Sequence, residues 1–408
     1  MSLSVVPLKK ILFIGHDANR AGAQLVLLQM LRLLRERQIP TQLLLGDGGP
    51  LEEEYRQVTE VIRYPRPVRQ LYGRVIDKGL RMTGVWSALE RRRGQRQQQA
   101  MRQHMDAQSV GVIVVNTVAS AGLYRAIAET VPAPMMLFVH ELAMSVQMYS
   151  QPDDLRFLLD RASHLIAVSQ AVADYYHNVH RYPVDRISRL QFIDIRSLNQ
   201  RIDMAKSGPS IREQMGLPAD ALLVGACGNA EWRKGNDLFN VLATLTVEQN
   251  PTRPVYFVWV GIPRSNPWYN DLWLDVVKAD LTDRIRYVEP TPDVLRYMVQ
   301  FDVFALTSRE DPYPLVVLEA GLCGVPVVCF DGAGGAPELV ETDAGRVVSY
   351  LDLAAMSRAV GDLLEQPALR RSMGQRLKEK ILERHPSQAS MDVFMELARY
   401  LQLHKHNE

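Results

Sequence analysis

Two short stretches of this 408-residue chain put charged side chains where they can do chemistry. In GNAEWRKGNDLF, Gly228 to Phe239, Arg233 and Lys234 stand side by side before Gly235. The stretch follows an apolar run and opens a helical pattern. Two cations at a strand-to-helix turn make a phosphate site, with the guanidinium as a fork and the ammonium as a point charge. At ~4 Å and an effective dielectric of about 20, each cation–phosphate pair is worth about 4 kcal/mol before desolvation. Such a pair can stabilise a departing diphosphate without a metal. The plainer alternative is a surface pair at a helix start.

The second stretch is TSREDPYPLVVLEAGLCGVPVVCFDGAGGAPELV, Thr307 to Val340. Pro314 suits a first helical position, so a helix is expected from Leu315 to Leu322, stopping near Gly324. Asp311, with Glu310 beside it, lies in the loop before that helix. Glu319 lies about a turn and a half inside it, in an otherwise apolar run. The open first-turn N–H groups, at Leu315 and the residues after it, attract anions and hydroxyl oxygens. A buried glutamate needs partners, and the hydroxyls of a vicinal diol would supply two. Glu319 then holds a sugar ring. The alternative is that Glu319 and Asp311 cap local backbone. Gly334 and Gly335 would allow a ligand close to the backbone.

Other signals are weaker. FIGHDANRAGAQ, residues 13–24, is a glycine-bearing loop without the G-x-G-x-x-G fingerprint, which disfavours a dinucleotide enzyme. His16 and His140 each end a strand pattern, and a lone histidine is more often structural than functional. No H-E-x-x-H or cysteine cluster occurs, so neither structural zinc nor an obligatory catalytic metal or cofactor is expected. Cys227, Cys323 and Cys329 read as buried filler in a reduced, cytoplasmic protein.

Parallel sheets are the elements that would position these residues. Apolar runs at 10–15, 41–46, 111–116, 135–140 and 164–169 alternate with amphipathic helical patterns such as residues 23–37. A second set lies at 222–228, 256–261, 284–289, 303–308, 326–330 and 346–350. Strands apolar on both faces, alternating with helices, predict parallel sheets covered on both sides. The expectation is an α/β protein of two doubly wound, Rossmann-like domains facing a central cleft, with ligands at the carboxyl ends of the strands. The first domain is placed at 1–190, a polar linker at 191–209, the second domain at 210–386 and a final helix at 387–408.

Composition is that of a globular protein, with 47% hydrophobic and 23% charged residues. A net charge of +1 gives no bias toward nucleic acid. The N-terminal apolar run is too short for a signal-peptide core, and no run reaches the ~20 residues that span a bilayer. Between Arg63 and Asp106, however, eleven Lys or Arg stand against three Asp or Glu, an excess of +8. This segment, 63–106, reads either as contact with an anionic membrane surface or polymer, or as a solvated, partly helical face.

Together, SREDPYPLVVLEAGLCGVPVV, GGAPELV, DAGRVV and the Arg/Lys turn resemble the C-terminal domain of family-4 retaining glycosyltransferases of the GT-B fold, also called glycosyltransferase group 1. KILFIG, FVHE and HLIAVSQAVADYY resemble the family's N-terminal sheet. The resemblance implies that Glu319 binds the ribose hydroxyls and Asp311 the donor sugar. Backbone around Tyr313, Pro314, Leu315 and Val316 would hold sugar or phosphate, and Arg233 and Lys234 would neutralise the diphosphate. Gly22 would lie under the phosphates, His140 would face the reacting carbon, and the final helix would cross back onto the N-terminal domain. Where the family pattern has a first glutamate, this chain has Asp311 after Glu310.

The expected function is therefore metal-independent, retaining transfer of a sugar from a nucleotide-sugar to an acceptor hydroxyl. The acceptor would be a saccharide, a lipid-linked molecule or a small molecule, in polysaccharide or glycoconjugate biosynthesis, at the inner face of a membrane if 63–106 binds one. A nucleotide-sugar epimerase on the same scaffold and a non-catalytic nucleotide-binding scaffold are the alternatives.

Overall fold

The computed structural model describes residues 7–64, 92, 96, 99 and 105–404. Most of the basic segment 63–106 lies outside the described residues. The chain divides into two compact units. One takes Met1–Val168, Tyr176–Phe192 and Ser387–Glu408; the other takes Ser169–Tyr175 and Ile193–Pro386.

The first unit is built on a parallel sheet of β1 (Lys10–Gly15), β2 (Thr41–Leu45), β3 (Glu60–Arg63), β4 (Val110–Asn116), β5 (Met135–Val139), β6 (Ala162–Ala167) and β7 (Ile187–Arg189), in the order β3-β2-β1-β4-β5-β6-β7. Phe13 of β1 pairs with Leu43 on one side and Val114 on the other. Every residue of β4, VGVIVVN, is buried, as a strand covered on both faces requires. The final helix, Ser387–Leu403, belongs to this unit. Phe394 meets the edge of Phe192 at 6.2 Å between ring centres, and Gln402 accepts from the Lys9 amide at 2.8 Å.

The second unit holds a parallel sheet of β8 (Leu222–Cys227), β9 (Val255–Val260), β10 (Ile285–Val288), β11 (Val303–Leu306), β12 (Val327–Phe330) and β13 (Gly345–Val348), in the order β10-β9-β8-β11-β12-β13. Both sheets reverse their order once, at β1/β4 and at β8/β11. At such a point the connections leave to opposite faces and open a crevice beyond the carboxyl ends of the two strands. The Arg/Lys turn follows β8 and the Asp311 loop follows β11, so both candidate stretches belong to one switch point.

β3 and β7 add to the strands expected from sequence. The stretch expected as a linker contains the helix Ile195–Lys206, whose N-cap Asp194 accepts from the Ser197 amide at 2.9 Å. Its Ile202 and Ala205 are buried, both in the second unit's core. Among the described residues no helix is long and apolar enough to cross a membrane.

Candidate active site

The connection after β8 closes as a single 3-10 turn, Trp232–Lys234, ended by Gly235 in the left-handed region at φ 70°. A Cβ on Gly235 would lie 2.0 Å from the Thr307 carbonyl oxygen, so only glycine fits. The helix Asn236–Gln249 starts at once. Its first side chain, the fully buried Asn236, accepts from the Glu231 amide at 3.0 Å and ties the start of the turn to its end.

Both cations of the turn face Asp311. Lys234 Nζ donates to Asp311 Oδ2 at 2.6 Å, and Arg233 Nη1 lies 3.9 Å from Oδ1. Arg233 also donates to the Glu310 carbonyl at 3.0 Å and, through Nη2, to Glu231 Oε2 at 3.4 Å. Asp311 is buried, and its amide donates to the Ala333 carbonyl at 2.7 Å. Asp311 and Glu231 balance the two cations, and the cluster is half-buried and therefore weakly screened. Arg233 and Lys234 are the donors there that suit a phosphate oxygen.

The helix runs Leu315–Leu322 as expected, with Pro314 as its N-cap, extended at ψ 110°. The loop ahead of it is fixed from two sides. Tyr313 Oη bonds to His385 Nε2, while His385 Nδ1 bonds to the Ile381 carbonyl at 2.9 Å. A carbonyl only accepts, so Nδ1 carries the proton and Nε2 receives the Tyr313 hydroxyl. Burial lowers the His385 pKa and keeps the ring in this neutral form. On the other side Ser169 Oγ donates to the Pro312 carbonyl at 2.7 Å, and Glu338 accepts the Ala171 amide at 2.9 Å.

Gly334 and Gly335 pack closely against this loop. A Cβ at Gly334, φ 140°, would stand 1.9 Å from the Asp311 carbonyl oxygen; one at Gly335 would stand 2.6 Å from that of Pro312.

Glu319 differs from Asp311 in having no partner. Among the described residues no group donates a hydrogen bond to its half-buried carboxyl, and none forms an ion pair with it. Removal from water pushes its pKa up to about 7, against the opposing charge of Arg201. A carboxyl that gives up hydration and gains no bond inside the protein is poised for donors from outside it.

Gly22 and His140 belong to the first unit. Gly22 is the exposed first residue of the helix Gly22–Glu36, after β1. His140 follows β5. Asn116 Nδ2 donates to the Ala23 carbonyl at 3.3 Å, which turns its Oδ1 toward His140 Nε2 at 2.9 Å. Nε2 is thus the protonated nitrogen and Nδ1 keeps its lone pair. Burial, reinforced by the charge of His16, pushes the His140 pKa down to about 3. The buried Glu141 accepts the amides of His140 at 2.8 Å and Val118 at 3.3 Å. Burial raises its carboxyl to about 7 despite those bonds. Thr117, at φ 72°, sits in a region that β-branched residues avoid, and its hydroxyl meets His16 Nδ1 at 3.1 Å. A cavity of about 360 Å³ opens beside His16, Asp17, Asp47 and Tyr64 at the ends of β1, β2 and β3.

Asn116, Glu141, Ser169, Arg309 and His385 were not singled out from sequence. Only FVHE carried a signal for one of them, an acid directly after a strand-end histidine.

This architecture is a GT-B fold, and comparison with known proteins agrees. Crystal structures of Anabaena Alr3699/HepE include one in complex with UDP and glucose. That structure superposes with a TM-score of 0.75 over 95% of this chain and 99% of that one, at 20% identity. Residues 221–366 match the family described as Glycosyl transferases group 1, the group that the sequence of this half resembles. Among curated relatives, the lipopolysaccharide core biosynthesis mannosyltransferase LpcC of Rhizobium leguminosarum bv. viciae is 30% identical over 173 residues, 41% of this chain and 49% of that protein. The lipopolysaccharide core biosynthesis mannosyltransferase LpsB of Rhizobium meliloti (strain 1021) is 28% identical over 218 residues, 52% of this chain and 58% of that protein. The chain thus spans about half the length of each of these two relatives.

Proposed function

We propose that this protein transfers a sugar, with retained anomeric configuration and without a divalent metal, from a nucleoside diphosphate sugar to an acceptor hydroxyl. The observation that carries the reading is the carboxyl of Glu319, unpartnered among the described residues, on the helix whose preceding loop carries Asp311, the carboxylate that Arg233 and Lys234 face from the turn after β8. A ribose diol satisfies Glu319, and the two cations take the diphosphate. The bond from anomeric carbon to phosphate oxygen breaks as the acceptor oxygen bonds to that carbon from the same face. The acceptor's proton passes to the departing phosphate oxygen, and the cations stabilise the charge that develops there. Asp311 meets the hydroxyls of the donor sugar. The family resemblance implies roles for the first unit's His140, neutral and with Nδ1 open, at the reacting carbon, and for its Gly22 at the phosphates.

The rhizobial relatives act by name in lipopolysaccharide core biosynthesis, which supports a saccharide or lipid-linked saccharide as acceptor. The UDP and glucose of the Anabaena structure support a nucleotide-sugar donor. Work on lipid-linked acceptors fits a cytoplasmic protein that touches an anionic membrane through 63–106.

The test is a thermal-shift panel of UDP, GDP, ADP and TDP and their sugars, run on the wild type and Glu319→Ala. A bound ligand at ~100 times its Kd adds about 2.7 kcal/mol of stability. A shift for one nucleotide that the variant loses supports the reading. No shift with any of them refutes it. Conversion of the donor to its epimer without an acceptor would replace transfer by epimerisation.

A further inference from the structure

Arg233 and Lys234 stand on a turn of three residues. The chain supplies a clamp from the other side of the switch point. The Arg309 amide donates to the Arg233 carbonyl at 2.8 Å. Its guanidinium then reaches both ends of the turn. Nη1 donates to the Trp232 carbonyl at 2.8 Å and to Asp237 Oδ1 at 2.9 Å, and Nη2 donates to Asp237 Oδ2 at 2.7 Å. The guanidinium carbon lies 4.5 Å from the centre of the Trp232 ring, and the Tyr350 hydroxyl donates to the Arg309 carbonyl at 3.2 Å. Asp237 sits in the first turn of the following helix. Burial alone would raise its pKa, but the Arg309 hydrogen bonds and charge outweigh that and hold it below its ordinary value.

We propose that Arg309 is the positioning residue for the cation pair: it locks Trp232 to Asp237 as one rigid piece, so that Arg233 and Lys234 meet a diphosphate already aligned. The inference rests on the donor-binding reading above. Arg309 acts through its neighbours, since its guanidinium is committed to Trp232 and Asp237. Lysine cannot replace it, because an ammonium has neither the planar fork nor the stacking face.

The experiment compares Arg309→Lys, Lys234→Ala and the double variant, with nucleoside diphosphate release from the same four nucleotide-sugars as the assay. Misplacing a catalytic group by ~1 Å costs up to about 100-fold in rate, so Arg309→Lys is expected to lose about 10- to 100-fold in kcat. Donor KM should stay within about threefold, since ground-state binding also draws on Glu319. The double variant should lose less than the product of the two single losses, because with Lys234 gone the clamp positions only Arg233. Asp237→Asn, which keeps the shape and weakens the fork, should move kcat in the same direction, and it answers the question if Arg309→Lys does not fold. Wild-type kcat in Arg309→Lys and Asp237→Asn overturns the proposal. So do losses that multiply independently with Lys234→Ala, which would make Arg309 a general stabiliser. A wild type that neither binds nor turns over any of the four removes the donor-site reading itself; turnover that ignores Arg309 removes only the clamp.

Discussion

Glu319→Gln separates the two roles of a half-buried carboxyl, because glutamine keeps the shape and removes the charge. The ordinary carboxyl value of 4.5 is pushed up to about 7 in the folded protein, so the native state holds a proton that the unfolded chain has already released. The sign follows. A carboxyl raised by folding contributes least penalty below pH 4.5, and stability is lost as pH climbs from there through about 7. At 1.36 kcal/mol per pH unit the full difference is about 3 kcal/mol; partial exposure of the side chain reduces it to about 1–2 kcal/mol. Glu319→Gln carries no such penalty. It should match the wild type near pH 5 and exceed it by about 1–2 kcal/mol at pH 8 in urea unfolding.

Ligand binding runs the other way. Ribose hydroxyls donate to the ionised carboxylate, so a bound nucleotide-sugar favours the charged form. With a carboxyl near 7, the ionised fraction rises from about one-tenth at pH 6 to about nine-tenths at pH 8, and wild-type affinity should rise about tenfold across that window. The diphosphate of a nucleotide-sugar is doubly esterified and loses no proton there, so the slope belongs to the protein. Calorimetric titration at pH 6, 7 and 8 measures it. Glu319→Gln should bind weakly with no slope. Two results refute the reasoning: wild-type affinity in the variant at pH 8, or an equal pH slope in both proteins.

Gly334→Ala should cost about 2–3 kcal/mol in urea unfolding, since φ 140° and a Cβ 1.9 Å from the Asp311 carbonyl oxygen both oppose a side chain. It should also weaken diphosphate binding by displacing Asp311; an unchanged urea midpoint would contradict the packing. The His140 ring should show no titration between pH 5 and 8 by NMR, because its pKa lies at about 3, and a midpoint near 6.5 would mean that the ring is not buried as described. Donor turnover should survive dialysis against EDTA unchanged. Loss of turnover that magnesium or manganese restores would end the metal-independent reading.

Runs such as VGVIVVN in β4 are legible because a parallel strand covered on both faces has no polar side to show. The strands β3 and β7, EVIR and ISR, lie at sheet edges and are partly exposed, so no apolar run marks them, and pairing with β2 and β6 makes them strands. The helix Ile195–Lys206 reads as a polar linker for the same reason, since only a narrow stripe with Ile202 and Ala205 is buried. The candidate site divides along a similar line. Arg233, Lys234, Asp311 and Glu319 announce themselves by type and by their place at strand-to-helix turns. That Lys234 meets Asp311 across 77 positions follows from β8 lying beside β11, which the sheet order sets and no local spacing encodes. His140 finds Asn116 because β4 pairs with β5. Arg309 is the sharpest case. Within SREDP it looks like one more solvated charge, and its role shows only once the adjacent strands bring Trp232 and Asp237 beneath its guanidinium. A chemical group is thus readable where it stands, whereas the residue that holds it in place is readable only after the order of the strands is known.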